Sequence, residues 1–194
     1  MIGAVLAGGR GRRLGADKAV VEIGGRAMIE RPLDALGEVC ERVAVVCKAA
    51  TVLPGLPPGI ERWDEPERPR HPLTGIVHAL DRAGEEVLVC AADMPFVDAA
   101  VLRVLIEAGA ARPDAVAVVA EAAGRLQPVL GLYRASALAG LGRGAANAPL
   151  TRIVEGLDPL RVTVAAAAVR GVNTPDELAA ADAELGSAPQ QQDH

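Results

Sequence analysis

Aromatic side chains are nearly absent from this 194-residue chain, which has one Phe, one Tyr and one Trp. Excess positive charge is absent too, with a formal net charge of −5. Both absences argue against a nucleic-acid surface, which needs a basic face and rings on which bases stack. No apolar run reaches the ~18 residues of a membrane span. Nor does the N-terminus carry a signal-peptide pattern, since Arg10, Arg12 and Arg13 follow directly on a short apolar stretch. The expectation is a cytoplasmic protein with no nucleic-acid and no membrane partner. Cysteine is scarce: Cys40, Cys47 and Cys90 lie in apolar settings without CxxC or Cys/His ligand spacing. That pattern suits buried free thiols rather than a zinc site or disulfides. Nothing pairs a Ser or Cys nucleophile with a base. Hydrophobic residues make up 51% and charged residues 23% of the chain, ordinary for a globular protein able to bury a substantial core.

Lysine is the scarcest charge. Only Lys18 and Lys48 accompany 18 arginines. Lys18 closes the most informative stretch, in which the apolar run Ala4-Val5-Leu6-Ala7 breaks into Gly8-Gly9-Arg10-Gly11-Arg12-Arg13-Leu14-Gly15-Ala16-Asp17-Lys18. This reads as a buried strand opening into a phosphate-binding loop. Glycines let the backbone approach a ligand, and successive N–H groups in such a turn form an anion-binding concavity. A solvated basic surface loop is the plainer alternative, but a compact ammonium among so many arginines suits a point charge on a polyphosphate. The loop is not a P-loop, because Gly15 is followed by Ala16-Asp17-Lys18-Ala19. It is not a dinucleotide fingerprint either, because Leu14 stands where Gly or Ala is needed.

Along the chain, short apolar runs alternate with helical patterns. Strands are predicted at Ile2 to Leu6, Val43 to Cys47, Ile60 to Trp63, Val87 to Ala91 and Ala115 to Ala120, with two more around Pro128 to Leu132 and Arg161 to Val164. Helices are predicted at Ala27 to Val39, Leu73 to Arg82, Ala99 to Ala111, Ser136 to Leu141, Pro149 to Gly156 and Pro175 to Glu184. Pro32 inside the first helix must kink it or move its start. This alternation predicts an α/β fold: a three-layer, Rossmann-like, open and mostly parallel sheet with helices on both faces. Ligands of such sheets bind beyond the carboxyl ends of the strands, where Gly8 and Asp93 both fall. Asp93 follows the apolar run Val87 to Ala91, and a carboxylate there is costly unless a cation meets it. Mg²⁺ would do so; capping of the turn before Met94-Pro95 is the other reading.

The run from Leu6 to Lys18 resembles the signature Leu-Ala-Gly-Gly, x, small, x, Arg, Met/Leu, Gly, x, Asp, Lys of nucleotidyltransferases acting on sugar phosphates and cofactors. Within that superfamily the chain resembles the molybdenum cofactor guanylyltransferases over nearly its whole length. Further segments carry the likeness: Asp64 after a strand, Pro72-Leu73-Thr74-Gly75, Ala91-Ala92-Asp93-Met94-Pro95-Phe96 and Val172-Asn173-Thr174-Pro175-Asp176-Glu177-Leu178. The resemblance implies one nucleotidyltransferase domain of the nucleotide-diphospho-sugar transferase type over residues 1–185, and the polar composition of residues 186–194, low in apolar side chains, predicts a disordered tail. It implies transfer of GMP from GTP to the terminal phosphate of molybdopterin, with release of pyrophosphate. Transient contact with cofactor-synthesis and acceptor proteins would accompany delivery of the pterin.

For the site, the resemblance implies Asp93, Lys18 and Arg13 as catalytic residues and Leu6, Ala7, Gly8, Gly9, Lys18, Asp64 and Asp93 as nucleotide-binding residues. Mg²⁺ would sit on Asp93, with Asn173 as a second metal position, although Asn173 also suits a turn before the last helix. Three departures touch the guanine and acceptor sites: His71 stands where many relatives have Gly, Gly171 where the Asn-x-Asn-Thr-Pro motif has its first Asn, and Cys47-Lys48 where a polar Asn region is common. Gly8 in Leu-Ala-Gly-Gly favours guanine, since cytidylyl-transferring relatives tend to carry Leu-Ala-Ala-Gly. The alternatives are a cytidylyltransferase or another small-molecule phosphate nucleotidyltransferase, and, in another class, a GTP-binding regulatory protein without turnover.

Overall fold

The computed structural model describes residues 1–8, 18–144 and 147–186. Seven strands form its main sheet: β1 (Ile2–Leu6), β4 (Arg42–Cys47), β5 (Ile60–Asp64), β6 (Val87–Ala91), β7 (Ala117–Ala122), β8 (Arg125–Tyr133) and β9 (Leu160–Thr163). Their order is β5-β4-β1-β6-β8-β7-β9. β5, β4, β1 and β6 are parallel neighbours, and β9 is parallel to β7. Only β8 runs against its neighbours, antiparallel to both β6 and β7. The expected mostly parallel α/β sheet is therefore present.

Parity along the strands builds the three layers, because successive side chains point to opposite faces. Val43 and Val45 join one core cluster, with Leu33 and Leu36 of α1 (Glu30–Gly37) and Leu102 and Leu105 of α3 (Ala99–Ala111). Ala44 and Val46 join the opposite cluster, with Leu73, Ile76 and Leu80 of α2 (Pro72–Ala83), Leu141 of α4 (Leu138–Leu141) and Ile153 of α5 (Leu150–Glu155). Helices thus cover both faces. Among the described residues no helix is long and apolar enough to cross a membrane.

Local chemistry sets most helix ends. His71 caps α2 by accepting the Leu73 N–H on its side chain, and Pro72 follows at the first helical position, where its missing N–H costs nothing. Asp98 caps α3 by accepting from Val101 N at 2.9 Å. The chain departs from expectation between residues 22 and 30. Rather than a helix from Ala27, a small hairpin forms from β2 (Glu22–Ile23) and β3 (Arg26–Ala27), and α1 starts only at Glu30. Gly24 and Gly25 supply its turn with φ of +61° and +74°, the left-handed pair that a two-residue hairpin loop needs. Pro32 then lies in the first turn of α1, where N–H groups have no intrahelical acceptor. The hairpin packs on α6 (Pro175–Gly186), with Gly24 N–H donating to Asp182 Oδ1 at 2.7 Å and Ile23, Met28, Val172 and Ala181 forming a small core of their own. Residues 187–194, most of the expected tail, lie outside the described residues.

The order of connection decides where a ligand can enter. From β1 the chain moves outward to β4 and β5, then crosses to β6 on the other side of β1. The strands therefore diverge in direction of travel between β1 and β6, the position at which such sheets open a crevice at their carboxyl edge.

Candidate active site

Three residues far apart in sequence meet at that edge. Beyond β1, Ala7 N–H donates to Val46 O at 2.9 Å, while Ala92 N–H, beyond β6, donates to Leu6 O at 3.0 Å. Lys18 opens a short 3-10 turn, Lys18–Val20. Its ammonium donates to Asp93 Oδ2 at 2.6 Å and to Asn173 Oδ1 at 2.5 Å. Lys18 is thus the cation that meets the carboxylate at the end of β6. The pair keeps contact with water, the side chains being 18% and 27% exposed.

Asn173 is held by its own turn. Glu177 Oε2 accepts from Asn173 N at 2.7 Å and from Thr174 N at 3.0 Å, and Glu177 N–H donates back to Thr174 Oγ1 at 3.3 Å. This reciprocal capping starts α6. The Asn173 N–H bond, ahead of the bonds from Thr174, holds the Glu177 carboxyl below the ordinary glutamate value. Val172 N–H donates to Asp93 O at 2.9 Å, which docks the segment against the Asp93 turn. At the Gly171 departure, a Cβ would lie 3.2 Å from Asn173 Nδ2 and 3.4 Å from Asp93 O. Glycine leaves the Asn173 amide room beside Asp93.

A cavity of about 430 Å³ runs along the carboxyl edge, lined among others by Leu6, Ala7, Gly8, Lys18 and Asp93. On the β4–β5 side its wall holds a second Lys–carboxylate pair, Lys48 and Glu65, with Lys48 Nζ 3.1 Å from Glu65 Oε1. Sheet register places them together. Cys47 pairs with Asp64 at the ends of β4 and β5, and Glu65 N–H continues the ladder to Cys47 O at 2.8 Å. Parity then turns Glu65 inward, leaving Asp64 outward and ion-paired with Arg62 at 2.8 Å. At a strand spacing of about 4.8 Å, β5 and β6 stand roughly 14 Å apart, so the two pairs flank the Gly8 backbone.

Of the residues singled out from the sequence, the structure brings Leu6, Ala7, Gly8, Lys18 and Asp93 to one cavity, with Asn173 attached through Lys18. Asp64 is not among the cavity-lining residues; its neighbour Glu65 is. Gly9 and Arg13 lie outside the described residues. Sequence reasoning missed Glu65, and it treated Lys48 only as a departure, although the scarcity of lysine was a usable signal. His71 serves the cap of α2 while also lining the cavity. All three cysteines are buried and free. Burial pushes the Cys40 and Cys47 thiols up to about 11, and Cys90 higher still. They are poor nucleophiles.

Oxygen donors dominate the Lys18 end of the cavity, and among the described residues no group of three or more His, Cys, Asp or Glu side chains could hold a metal ion. A single carboxylate with an amide oxygen beside it fits a hard cation that completes its shell with water and substrate phosphates. It does not fit a closed, all-protein metal cage.

Residues 3–162 match the family described as MobA-like NTP transferase domain. The chain is 32% identical over 201 residues to a probable molybdenum cofactor guanylyltransferase of Chloroflexus aggregans, covering 96% of each. The fold is similar, with a TM-score of 0.74 and 25% identity, to the crystal structure of molybdopterin-guanine dinucleotide biosynthesis protein A from Archaeoglobus fulgidus, over 97% of this chain and 100% of that one. A Mycobacterium tuberculosis protein solved in complex with manganese shares the fold, with a TM-score of 0.71 and 17% identity, over 96% of this chain and 98% of its own.

Proposed function

The chain belongs to the MobA-like NTP transferase family, and from that premise we propose that it transfers GMP from GTP to the terminal phosphate of molybdopterin, releasing pyrophosphate. It is a nucleotidyltransferase with relatives named for molybdenum cofactor biosynthesis; the nucleotide, the acceptor and the residue roles are the proposal. The observation that carries it is the meeting of Lys18, Asp93 and Asn173 at the mouth of a cavity bordered by Gly8. An ammonium, a carboxylate and an amide oxygen at the carboxyl edge of an open sheet suit a polyphosphate and the divalent cation that accompanies it.

In this reading the phosphates enter beside Gly8, and Lys18 gives up Asp93 to neutralise them. The family resemblance gives Gly9 and Arg13 roles at the triphosphate as well. Asp93, with Asn173 beside it, would hold Mg²⁺, which when bound draws charge from the phosphate oxygens. A phosphate oxygen of the acceptor attacks the α-phosphorus in line. A new P–O bond forms there, the bond to the β-phosphate breaks, and pyrophosphate leaves. The chain forms no covalent intermediate, so its contribution is alignment and charge compensation. Residues 1–185 would act as one domain in the cytoplasm, receiving the pterin from a partner protein.

Pyrophosphate release measured with Mg²⁺ and each of GTP, CTP, ATP and UTP, with and without molybdopterin, tests the proposal. Release from GTP that depends on the pterin is the expected result. Release from CTP instead would move the chain to cytidylyl transfer, and GTP binding without release from any nucleotide would make it a binding protein.

A further inference from the structure

We propose that Arg170, which is not among the cavity-lining residues, is a positioning residue that fixes the Asn173 segment against the Asp93 turn, an inference that rests on the nucleotidyl-transfer reading above. Asp93 and Asn173 share Lys18 but belong to segments far apart in sequence. The backbone bond from Val172 N–H to Asp93 O at 2.9 Å joins those segments directly, and attachment at one point leaves a pivot. A second attachment stands beside it. The Arg170 guanidinium lies over the Phe96 ring, 4.0 Å from its centroid. Phe96 lies just past Asp93 and Arg170 just before Val172, so the stack and the backbone bond hold the two segments at separate points and remove the pivot.

Arginine suits this task because its planar cation can lie on a ring while its N–H groups pair in the plane. Nη2 of Arg170 donates to Glu184 Oε2 in the last turn of α6. That turn carries no basic residue, and a carboxylate beside the outward-facing carbonyl groups of a helix end needs a cation. Glu184 therefore holds Arg170 over the ring. The flanking residues anchor the segment on both sides. Val169 packs in the core cluster that holds Ala92, Met94 and Val97, whereas Val172 packs in the small core of the hairpin and α6, which Phe96 also borders.

The same small core reaches the third site residue. Val21 packs against it and donates its N–H to Lys18 O at 3.4 Å, and Asp182 of α6 holds the turn of the hairpin that follows. One unit built on α6 thus carries the backbone behind Lys18, Asp93 and Asn173, and Arg170 bridges α6 to the Asp93 turn. The bridge lies in water, with Arg170 44% and Glu184 55% exposed, so its removal leaves both cores filled and the fold little altered. Its effect falls on alignment, where a displacement of about 1 Å costs on the order of 10²-fold in rate.

Arg170→Met, Arg170→Lys, Phe96→Leu and the double variant Arg170→Met with Phe96→Leu test this in the full chain. Arg103→Met, which removes an exposed ion pair to Glu38 elsewhere on the surface, is the control. Two quantities are measured: pyrophosphate release with Mg²⁺, molybdopterin and whichever nucleotide the unmodified protein turns over, and native-state hydrogen exchange of backbone 171–174. Arg170→Met and Phe96→Leu should each lower kcat roughly 10-fold while KM for the nucleotide moves less than about 3-fold, since alignment rather than binding is lost. Exchange over 171–174 should quicken in both variants with the melting temperature nearly unchanged. Arg170→Lys keeps a cation over the ring and should recover most of the loss. The double variant should be no slower than either single one, because both remove the same contact, and Arg103→Met should match the unmodified protein. Unaltered kcat and exchange in a folded Arg170→Met would overturn the inference, as would Arg170→Lys no better than Arg170→Met, or losses that multiply in the double variant; nucleotidyl transfer stands in each case. If Phe96→Leu does not fold, the two Arg170 variants decide. Absence of release from every nucleotide by the unmodified protein would overturn the nucleotidyl-transfer reading and the role of Arg170 with it.

Discussion

The two lysines of this chain end in the same kind of partnership at two sides of one cavity, yet the partnerships differ in depth. Lys18 and Asp93 approach to 2.6 Å with side chains 18% and 27% exposed, whereas Lys48 and Glu65 stand 3.1 Å apart with 9% and 6% exposed. A hydrated pair holds its members weakly, because water competes for both charges. A buried pair has no such competitor, and removal of one member strands the other. In the proposed mechanism the first pair is therefore the one suited to exchange partners when phosphate arrives. The second is suited to keep a fixed pattern of donor and acceptor. One chemistry, placed at two depths, yields a hydrated contact and a dry one.

Substitutions that strike one pair should leave the mark of the other untouched. The largest effect is expected from Asp93→Ala, which should lower turnover by roughly 10²- to 10³-fold, the scale of losing one preorganised electrostatic group. Thermal melting should barely move. Near-normal pyrophosphate release from this variant would remove Asp93 from the mechanism. Stability should show the opposite ranking. Lys48→Met should cost about 3 to 5 kcal/mol in urea denaturation by stranding the Glu65 carboxylate, against about 1 kcal/mol or less for Lys18→Met. Equal losses would show that the two pairs do not differ as their burial implies.

Joint replacement sharpens the contrast. The double variant Lys48→Met with Glu65→Leu should recover most of the stability that Lys48→Met loses, since a well-packed apolar pair often substitutes for a buried ion pair without penalty. A double variant no more stable than the single one would point to packing rather than charge.

The smallest effect concerns the support under Asn173. Glu177 is depressed in the folded protein by the N–H groups it accepts. Its stabilisation is therefore complete above the unfolded glutamate value near ~4.3 and is lost as pH falls through the lower folded value. Between pH 7 and pH 3 the unmodified protein should lose slightly more stability than Glu177→Gln, with melting followed by circular dichroism. Parallel curves would mean that the capping contact contributes nothing measurable.

Much of the fold was legible because local pattern and tertiary outcome agree. β1, β6 and α3 begin and end where apolar runs, a glycine break and the Asp98 cap indicate. Ala27 misled because it continues a helical pattern while belonging to a strand of two residues, too short for alternation to register. In the site, Gly8, Lys18 and Asp93 were legible because loop composition and a carboxylate after a buried strand are local signals. Asp64 and Glu65 show where such signals stop. Adjacent acids on one strand end face opposite ways, and only pairing with β4 decides which one looks into the cavity.

By itself, the sequence determined the layers, the glycine break after β1 and the scarcity of lysine that marks two positions, because periodicity, glycine and composition act over a few neighbouring residues. Tertiary structure alone decided that Lys18 meets Asp93 and Asn173 across separations of 75 and 155 residues, and that Lys48 meets Glu65 in a dry wall. Those meetings depend on strand order and register, which no single segment encodes, and on burial, which exists only once the sheet and both helical layers have closed around it.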